Sequence, residues 1–383
     1  MSAGYEVGRS PRVLVGADSI AELPALLGAW QCASAVLIVD AAISGLGYVD
    51  VLKNALQGVP VSVFVMPAGE PSVAVVNAAA THARKSPRAA VIGLGGGSAL
   101  DIAKQVAAII SSHEGIEHYL LCAHPFPARR PIVAIPTTAG TGAEVTRTCI
   151  VSDADGRKLW TWGDEMLPDL VILDASLTAT MPAFITAATG LDAFVHALEA
   201  CTAQRRNALS SGNALQAIRL VKSYLVKAVQ RGDDLAARRG MQEAALLAGL
   251  AIDNCGTGIA HCIGHALGTL YHLPHGIAVT LALEATLAWN IAGAGAVYAD
   301  AADIFGVNVA DLPGAFAALL ESAGFADALR GLRDATLEPQ RMDDVMIAPE
   351  NQPMLSNNAR AVMDADRLML ATRTADLWKA YRA

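Results

Sequence analysis

The feature that most limits the fold of this chain is a change of pattern part-way along it. Residues 35–40 (AVLIVD), 61–66 (VSVFVM) and 89–94 are continuous apolar runs of strand length, suited to strands covered on both faces. Residues 13–15, 131–135 and 169–174 have the same character. Helical sequence lies between them: a segment through Trp30 that opens on a capping box of Ser19 and Glu22, and another over 73–85. Strands alternating with helices imply βαβ units and a parallel sheet. After Met181-Pro182 the strand runs cease, and long Ala/Leu-rich segments with helical spacing follow, as at 214–229 and 235–250. At 383 residues the chain exceeds what one core usually supports. We therefore expect a parallel α/β domain over 1–181 and an all-helical domain over 182–383.

Charge and cysteine usage narrow the class of partner. A formal net charge of −8, with no Lys/Arg cluster, argues against a nucleic-acid surface. The six cysteines are scattered without a C-x-x-C pair, as expected of reduced thiols in the cytoplasm. The N-terminal stretch has no continuous apolar core, so no secretory signal is expected. Residues 276–299 carry one acidic residue, Glu284, and are long enough to span a bilayer. Asn290, the Ala/Gly stretch that follows it and the lack of flanking positive charge favour a buried helix instead.

Two loops at strand ends suit a ligand. The run 89–94 leads into Gly95, Gly96, Gly97 and Ser98, then a helical segment with Asp101. Consecutive glycines let the backbone approach a ligand, and the following helix offers N–H groups and a positive dipole end to a pyrophosphate. The pattern departs from G-x-G-x-x-G, and a capping box of Ser98 and Asp101 is the plainer alternative. The run 131–135 ends in a second Gly/Thr loop, where Thr138 and Thr141 could donate hydroxyls to phosphate or ribose. A turn held by side-chain-to-backbone bonds is the alternative there.

The helical half concentrates metal-ligand chemistry. Four of the nine histidines fall between His261 and His275; His261 and His265 share a helix face, and His275 follows Pro274, where a new segment must start. An i,i+4 pair with a later histidine is a candidate chelate; helix-face histidines bonded to carbonyls are the bland alternative. Upstream, Asp192 and His196 are also four apart among small and apolar residues. Burial of that carboxylate would require a cation or a strong donor, and a metal shared with the later histidines would supply one. The alternative is a helix-surface Asp–His pair, with Glu199 simply solvated.

Four stretches in one order carry a resemblance: GGGSALDIAK (95–104), PTTAGTGAEVT (136–146), ATGLDAFVHALEA (188–200) and HCIGHALGTLYHLPHG (261–276). Together they resemble the iron-dependent (group III) alcohol dehydrogenases, of the superfamily that includes glycerol dehydrogenase and dehydroquinate synthase. The likeness runs from about Val13 to about Asn290 and fades beyond. It implies a Rossmann-like parallel α/β domain followed by an all-helical metal-binding domain, with the cofactor in the cleft between them. It further implies that Asp192, His196, His261 and His275 hold a divalent metal, while His265 sits beside nicotinamide and substrate as a catalytic proton relay. By the same likeness Gly95, Gly96, Gly97, Ser98 and Asp101 cradle the dinucleotide, with Thr137, Thr138, Thr141 and Lys158 along it. Relatives are often dimers or larger.

Departures from the family pattern bear on the cofactor. Ala143 stands where relatives often have serine. Asp40 follows the strand directly, and Ala41 takes the place of an aspartate that repels a 2′-phosphate, so the choice between NAD, which is favoured, and NADP stays open. A carboxylate with three imidazoles suits Fe²⁺ or Zn²⁺, and four ligands plus substrate favour iron. The expected activity is hydride transfer between nicotinamide and a small alcohol or aldehyde. The rivals are a dehydroquinate synthase-type lyase, for which the metal-proximal stretches lack basic residues, and a non-catalytic nucleotide-binding protein.

Overall fold

The structure is a computed structural model describing residues 4–67, 69 and 71–382. The chain divides into two compact units, one containing Arg9–Thr138 and Ala143–Thr180, the other Ala139–Gly142, the chain from Met181 onward and the N-terminal residues through Gly8.

The first unit is built on β1 (Arg12–Val15), β2 (Ser34–Asp40), β3 (Val61–Met66), β4 (Ala89–Gly95), β5 (Ile132–Pro136), a hairpin of β6 (Thr148–Ser152) and β7 (Lys158–Trp162), and β8 (Leu170–Leu173). Six of these form one parallel sheet in the order β1-β8-β5-β4-β2-β3. Helices α1 (Leu23–Ala29), α2 (Tyr48–Ala55), α3 (Val73–Ala83) and α4 (Gly97–Ile109) cover it. Along β2, Val36 and Ile38 face the core under α3 and α4, while Ala35, Leu37 and Val39 face the opposite core. That two-sided burial is why these strands read as unbroken apolar runs. The order reverses between β2 and β4, so a crevice opens outside their carboxyl ends.

Two capping expectations are corrected. Ser19–Glu22 forms a separate 3-10 turn, and α1 starts at Leu23 with proline in its first turn and no side-chain cap. Helix α4 has Gly96 as its N-cap residue and no side-chain cap; Ser98 lies inside the helix, and Asp101 bonds to Lys104 and Ile150. The hairpin β6–β7 is antiparallel and was not anticipated.

The second unit is helical: no strand follows Leu173 among the described residues. Its leading helices are α5 (Ala183–Thr202), α6 (Ala208–Gln230), α7 (Leu235–Cys255), α8 (Ile259–Tyr271) and α9 (His275–Ala294). One apolar core joins them, and its many alanines let the helices pack closely. The stretch His275–Phe305 is long and apolar enough to cross a bilayer, but 67% of its most apolar window is buried inside the protein. The loop 139–142 packs onto this unit, where a Cβ on Gly142 would lie 2.5 Å from Gly249 Cα.

Candidate active site

Three helices of the helical unit bring four distant side chains together. Asp192 and His196 lie one turn apart on α5, and His261 lies in the first turn of α8. Pro274 ends the preceding segment, so His275 opens α9. The following Gly276 admits the close approach that this requires, since a Cβ there would lie 2.4 Å from Ala188 O on α5. The result is one cluster in which Asp192, His196, His261 and His275 each offer a ligand atom, all within 4.8 Å of one another. The His196 and His275 Nε2 atoms both stand 3.7 Å from Asp192 Oδ1, and the His196 and His261 rings stack with centroids 4.6 Å apart.

The polar accounting inside the cluster does not close on protein alone. Asp192 Oδ1, His196 Nδ1 and His261 Nε2 are buried without a hydrogen-bond partner among the described residues. Orphaned buried groups of this kind cost free energy and call for a water or an ion as partner. Burial pushes the Asp192 carboxyl up, with His196 opposing it, and pushes the His261 imidazole well below its ordinary value, helped by His196 and His265. A divalent cation among them would hold the carboxylate ionised and accept the neutral imidazole's lone pair, so the donor set fits a metal.

Two further side chains act on this cluster, and neither is signalled locally in the sequence. Glu199 is buried on α5 rather than solvated, and its Oε2 stands 2.6 Å from His261 Nδ1. Burial raises its carboxyl to about 7, while N–H bonds from Gly258 and Ala260 pull it down. Asn351 is buried in the C-terminal part, donates its amide to Val345 O at 2.9 Å, and places Oδ1 3.2 Å from His265 Nδ1. The Asn351 oxygen therefore accepts from His265 Nδ1–H, which leaves the imidazole lone pair on Nε2. His265 lies one turn beyond His261 on α8, its ring centroid 6.1 Å from that of His275.

In the sheet unit, the carboxyl ends of β4 and β5 are neighbours, with Gly95 paired to Pro136 and Thr137 N–H bonded to Gly95 O. Gly95 has φ +154°, and a Cβ on it would lie 2.7 Å from that of Ala99, so only glycine allows α4 to start this close to the strand. Gly96, Gly97 and Ser98 form the start of α4, which has no acidic residue in its first turn and no side-chain cap. Thr138 lies beside Gly96, within 3.3 Å of a Cβ placed there. Asp40, at the end of β2, accepts from Ala42 N–H and abuts Gly95.

The remaining residues expected along the cofactor are buried or half-buried. Asp101 is buried, with Oδ1 taken by Lys104 Nζ at 3.2 Å and Oδ2 by Ile150 N–H at 3.0 Å. Lys104 is fully buried and also donates to Ala143 O and Thr148 O. Lys158 is buried at the start of β7, and Thr141 is half-buried in the loop that packs with the helical unit. Asn357, buried in the C-terminal part, donates to Cys255 O and Thr257 O and accepts from Arg205 N–H.

Comparison with known proteins places the chain in a family. Residues 10–175 match the family described as iron-containing alcohol dehydrogenase, and 186–373 match the C-terminal domain of the Fe-containing alcohol dehydrogenase family. The probable alcohol dehydrogenase EutG of Escherichia coli is 38% identical over 61% of this chain and 60% of its own length. The matched region thus spans about 60% of that curated relative. The NAD-dependent methanol dehydrogenase of Bacillus methanolicus is 32% identical over 80% of this chain and 82% of its own. The sulfoacetaldehyde reductase of Bifidobacterium kashiwanohense, solved with NAD⁺, superposes with a TM-score of 0.89 at 27% identity, covering 98% of this chain and 99% of that one. The chain belongs to the iron-containing alcohol dehydrogenase family.

Proposed function

We propose that this protein is a metal- and nicotinamide-dependent alcohol dehydrogenase and aldehyde reductase acting on small substrates. The observation that carries the reading is the four-ligand cluster with its orphaned polar atoms. Asp192, His196, His261 and His275 would hold the ion, with iron favoured over zinc by the number of protein ligands. When bound, the ion supplies Lewis-acid polarisation of the substrate oxygen and the nicotinamide supplies or takes the hydride. His265, with its lone pair on Nε2, exchanges the proton of the alcohol with solvent.

Gly95, Gly96, Gly97 and Ser98 would receive the dinucleotide phosphates at the start of α4, with Thr137 and Thr138 beside them. Asp101 serves this loop from behind, by fixing α4. Asp40 beside Gly95 favours NAD over NADP, because its charge repels a 2′-phosphate at that strand end; the NAD⁺ complex of the reductase above supports the same choice. Residues 1–181 would form the nucleotide-binding domain and 182–383 the metal-binding domain. Six free cysteines are in keeping with a cytoplasmic enzyme, and the family resemblance implies a homodimer or larger assembly.

The test is turnover of short alcohols, diols and aldehydes with NAD and NADP, after reconstitution with Fe²⁺ or Zn²⁺. Metal-dependent turnover is expected, with His265→Ala keeping its metal while losing roughly 10²–10⁴-fold in kcat. A His265→Ala protein that also loses its metal would show the ligand assignment to be wrong.

A further inference from the structure

Glu199 meets two backbone N–H donors and the Nδ1 atom of His261. Its Oε2 accepts from Gly258 N–H at 2.8 Å and lies 2.6 Å from His261 Nδ1, and its Oε1 accepts from Ala260 N–H at 2.7 Å. Both backbone groups belong to the start of α8, whose N-cap is Gly258 and carries no side-chain cap. A carboxylate from α5 therefore takes the place of the missing cap and faces the positive end of the α8 dipole. The backbone donors cannot change role, so both oxygens accept, and bonds of this kind favour the ionised form.

That fixed arrangement decides the state of the third partner. With Glu199 accepting, His261 carries its proton on Nδ1 and its lone pair on Nε2, the atom left orphaned in the cluster. We propose that Glu199 is a positioning residue for the metal centre, holding His261 in the one tautomer that can bind the ion. The inference rests on the reading that Asp192, His196, His261 and His275 hold a metal.

Glutamine at 199 inverts the pattern. Its amide nitrogen must face either Ala260 N–H or the pair formed by Gly258 N–H and His261 Nδ1. The second orientation makes Nδ1 an acceptor and puts the ring proton on Nε2, against the ion. The first sets two donors against each other and loosens the α8 start that carries the ring.

Two measurements test this, neither requiring turnover. In ¹⁵N-histidine-labelled metal-free wild-type protein, NMR should show His261 as the Nδ1–H tautomer, assigned by loss of its signals in His261→Ala. The Nε2–H tautomer there would overturn the proposal whether or not any Glu199 variant folds. The second measurement is the dissociation constant for Zn²⁺ and Co²⁺ by chelator competition. Glu199→Gln should bind about 10–100-fold more weakly than wild type, the usual range for a carboxylate behind a ligating histidine. A purely structural cap would lower the melting temperature and leave the affinity and the tautomer of the folded protein unchanged, which would refute the positioning role. Wild-type protein that takes up neither ion would overturn the metal reading and this proposal together. Tight binding by wild type and equally tight binding by Glu199→Gln would overturn this proposal alone.

Discussion

The protein buries two clusters of charged and polar side chains, and they are resolved in opposite ways. In the sheet unit, Lys104 Nζ places its three donors on Asp101, Ala143 O and Thr148 O, and the second Asp101 oxygen takes Ile150 N–H. In the helical unit, Asp192, His196 and His261 each keep a buried polar atom without a partner among the described residues. Both clusters carry desolvation costs, yet only the first offsets them with protein groups. The difference teaches that a closed cluster is architecture, tying α4 to the segment that leads into β6, whereas an open one is built to receive something.

Breaking the closed cluster should give the largest loss of stability. Lys104→Met leaves Asp101 buried without its cation, a change expected to cost about 3–5 kcal/mol in urea unfolding. Metal affinity measured on the folded variant should not change. If the affinity fell instead, the division between the two clusters would be mistaken.

Glu144 sharpens the same comparison through pH. Burial raises its carboxyl from 4.5 to about 7, against a smaller opposing pull from Lys104. Since the folded value lies above the unfolded one, the stability this group contributes is present in full below pH 4.5 and lost as the pH rises through 7. Glu144→Gln removes that loss, so its stability relative to wild type should improve by roughly 3 kcal/mol between pH 4 and pH 8. Parallel wild-type and variant curves would show that Glu144 does not titrate in this window.

The smallest expected effect comes from filling the open cluster. A divalent ion at 100 times its dissociation constant should stabilise the wild-type protein by about 2.7 kcal/mol. The same addition should stabilise Asp192→Asn by no more than about 0.4 kcal/mol, and thermal unfolding with and without chelator reads the difference.

What was legible in the sequence follows from how local each signal is. The six sheet strands announce themselves because burial on both faces needs unbroken apolar runs, and α5 to α9 because helical spacing persists over many turns. The hairpin β6–β7 was passed over: its strands are short and half-buried, and Lys158 and Arg157 at its turn mask the alternation. The capping box foreseen at Ser98 and Asp101 failed because Lys104 and Ile150 claim the carboxylate, a tertiary contact that overrides local preference. The loop 136–146 read as one ligand-facing segment, yet residues 139–142 pack with the helices, where Gly142 meets Gly249.

At the candidate metal site, spacing alone suggested His261 and His265 as co-ligands. The resemblance separated them, and the structure places His275 rather than His265 among the four clustered ligand atoms. Glu199 and Asn351 were invisible as parts of the site, because their histidine partners lie 62 and 86 residues away and no periodicity links them. Short-range pattern finds the ligands that share a turn; the groups that orient them arrive only with the fold.

The most direct test of the open cluster is metal content and affinity in protein purified without chelator, wild type beside Asp192→Asn. The wild-type chain should hold one tightly bound divalent ion, and the variant should bind at least ~100-fold more weakly. A wild-type chain that binds no divalent ion, or a variant that binds it as tightly, would contradict the account.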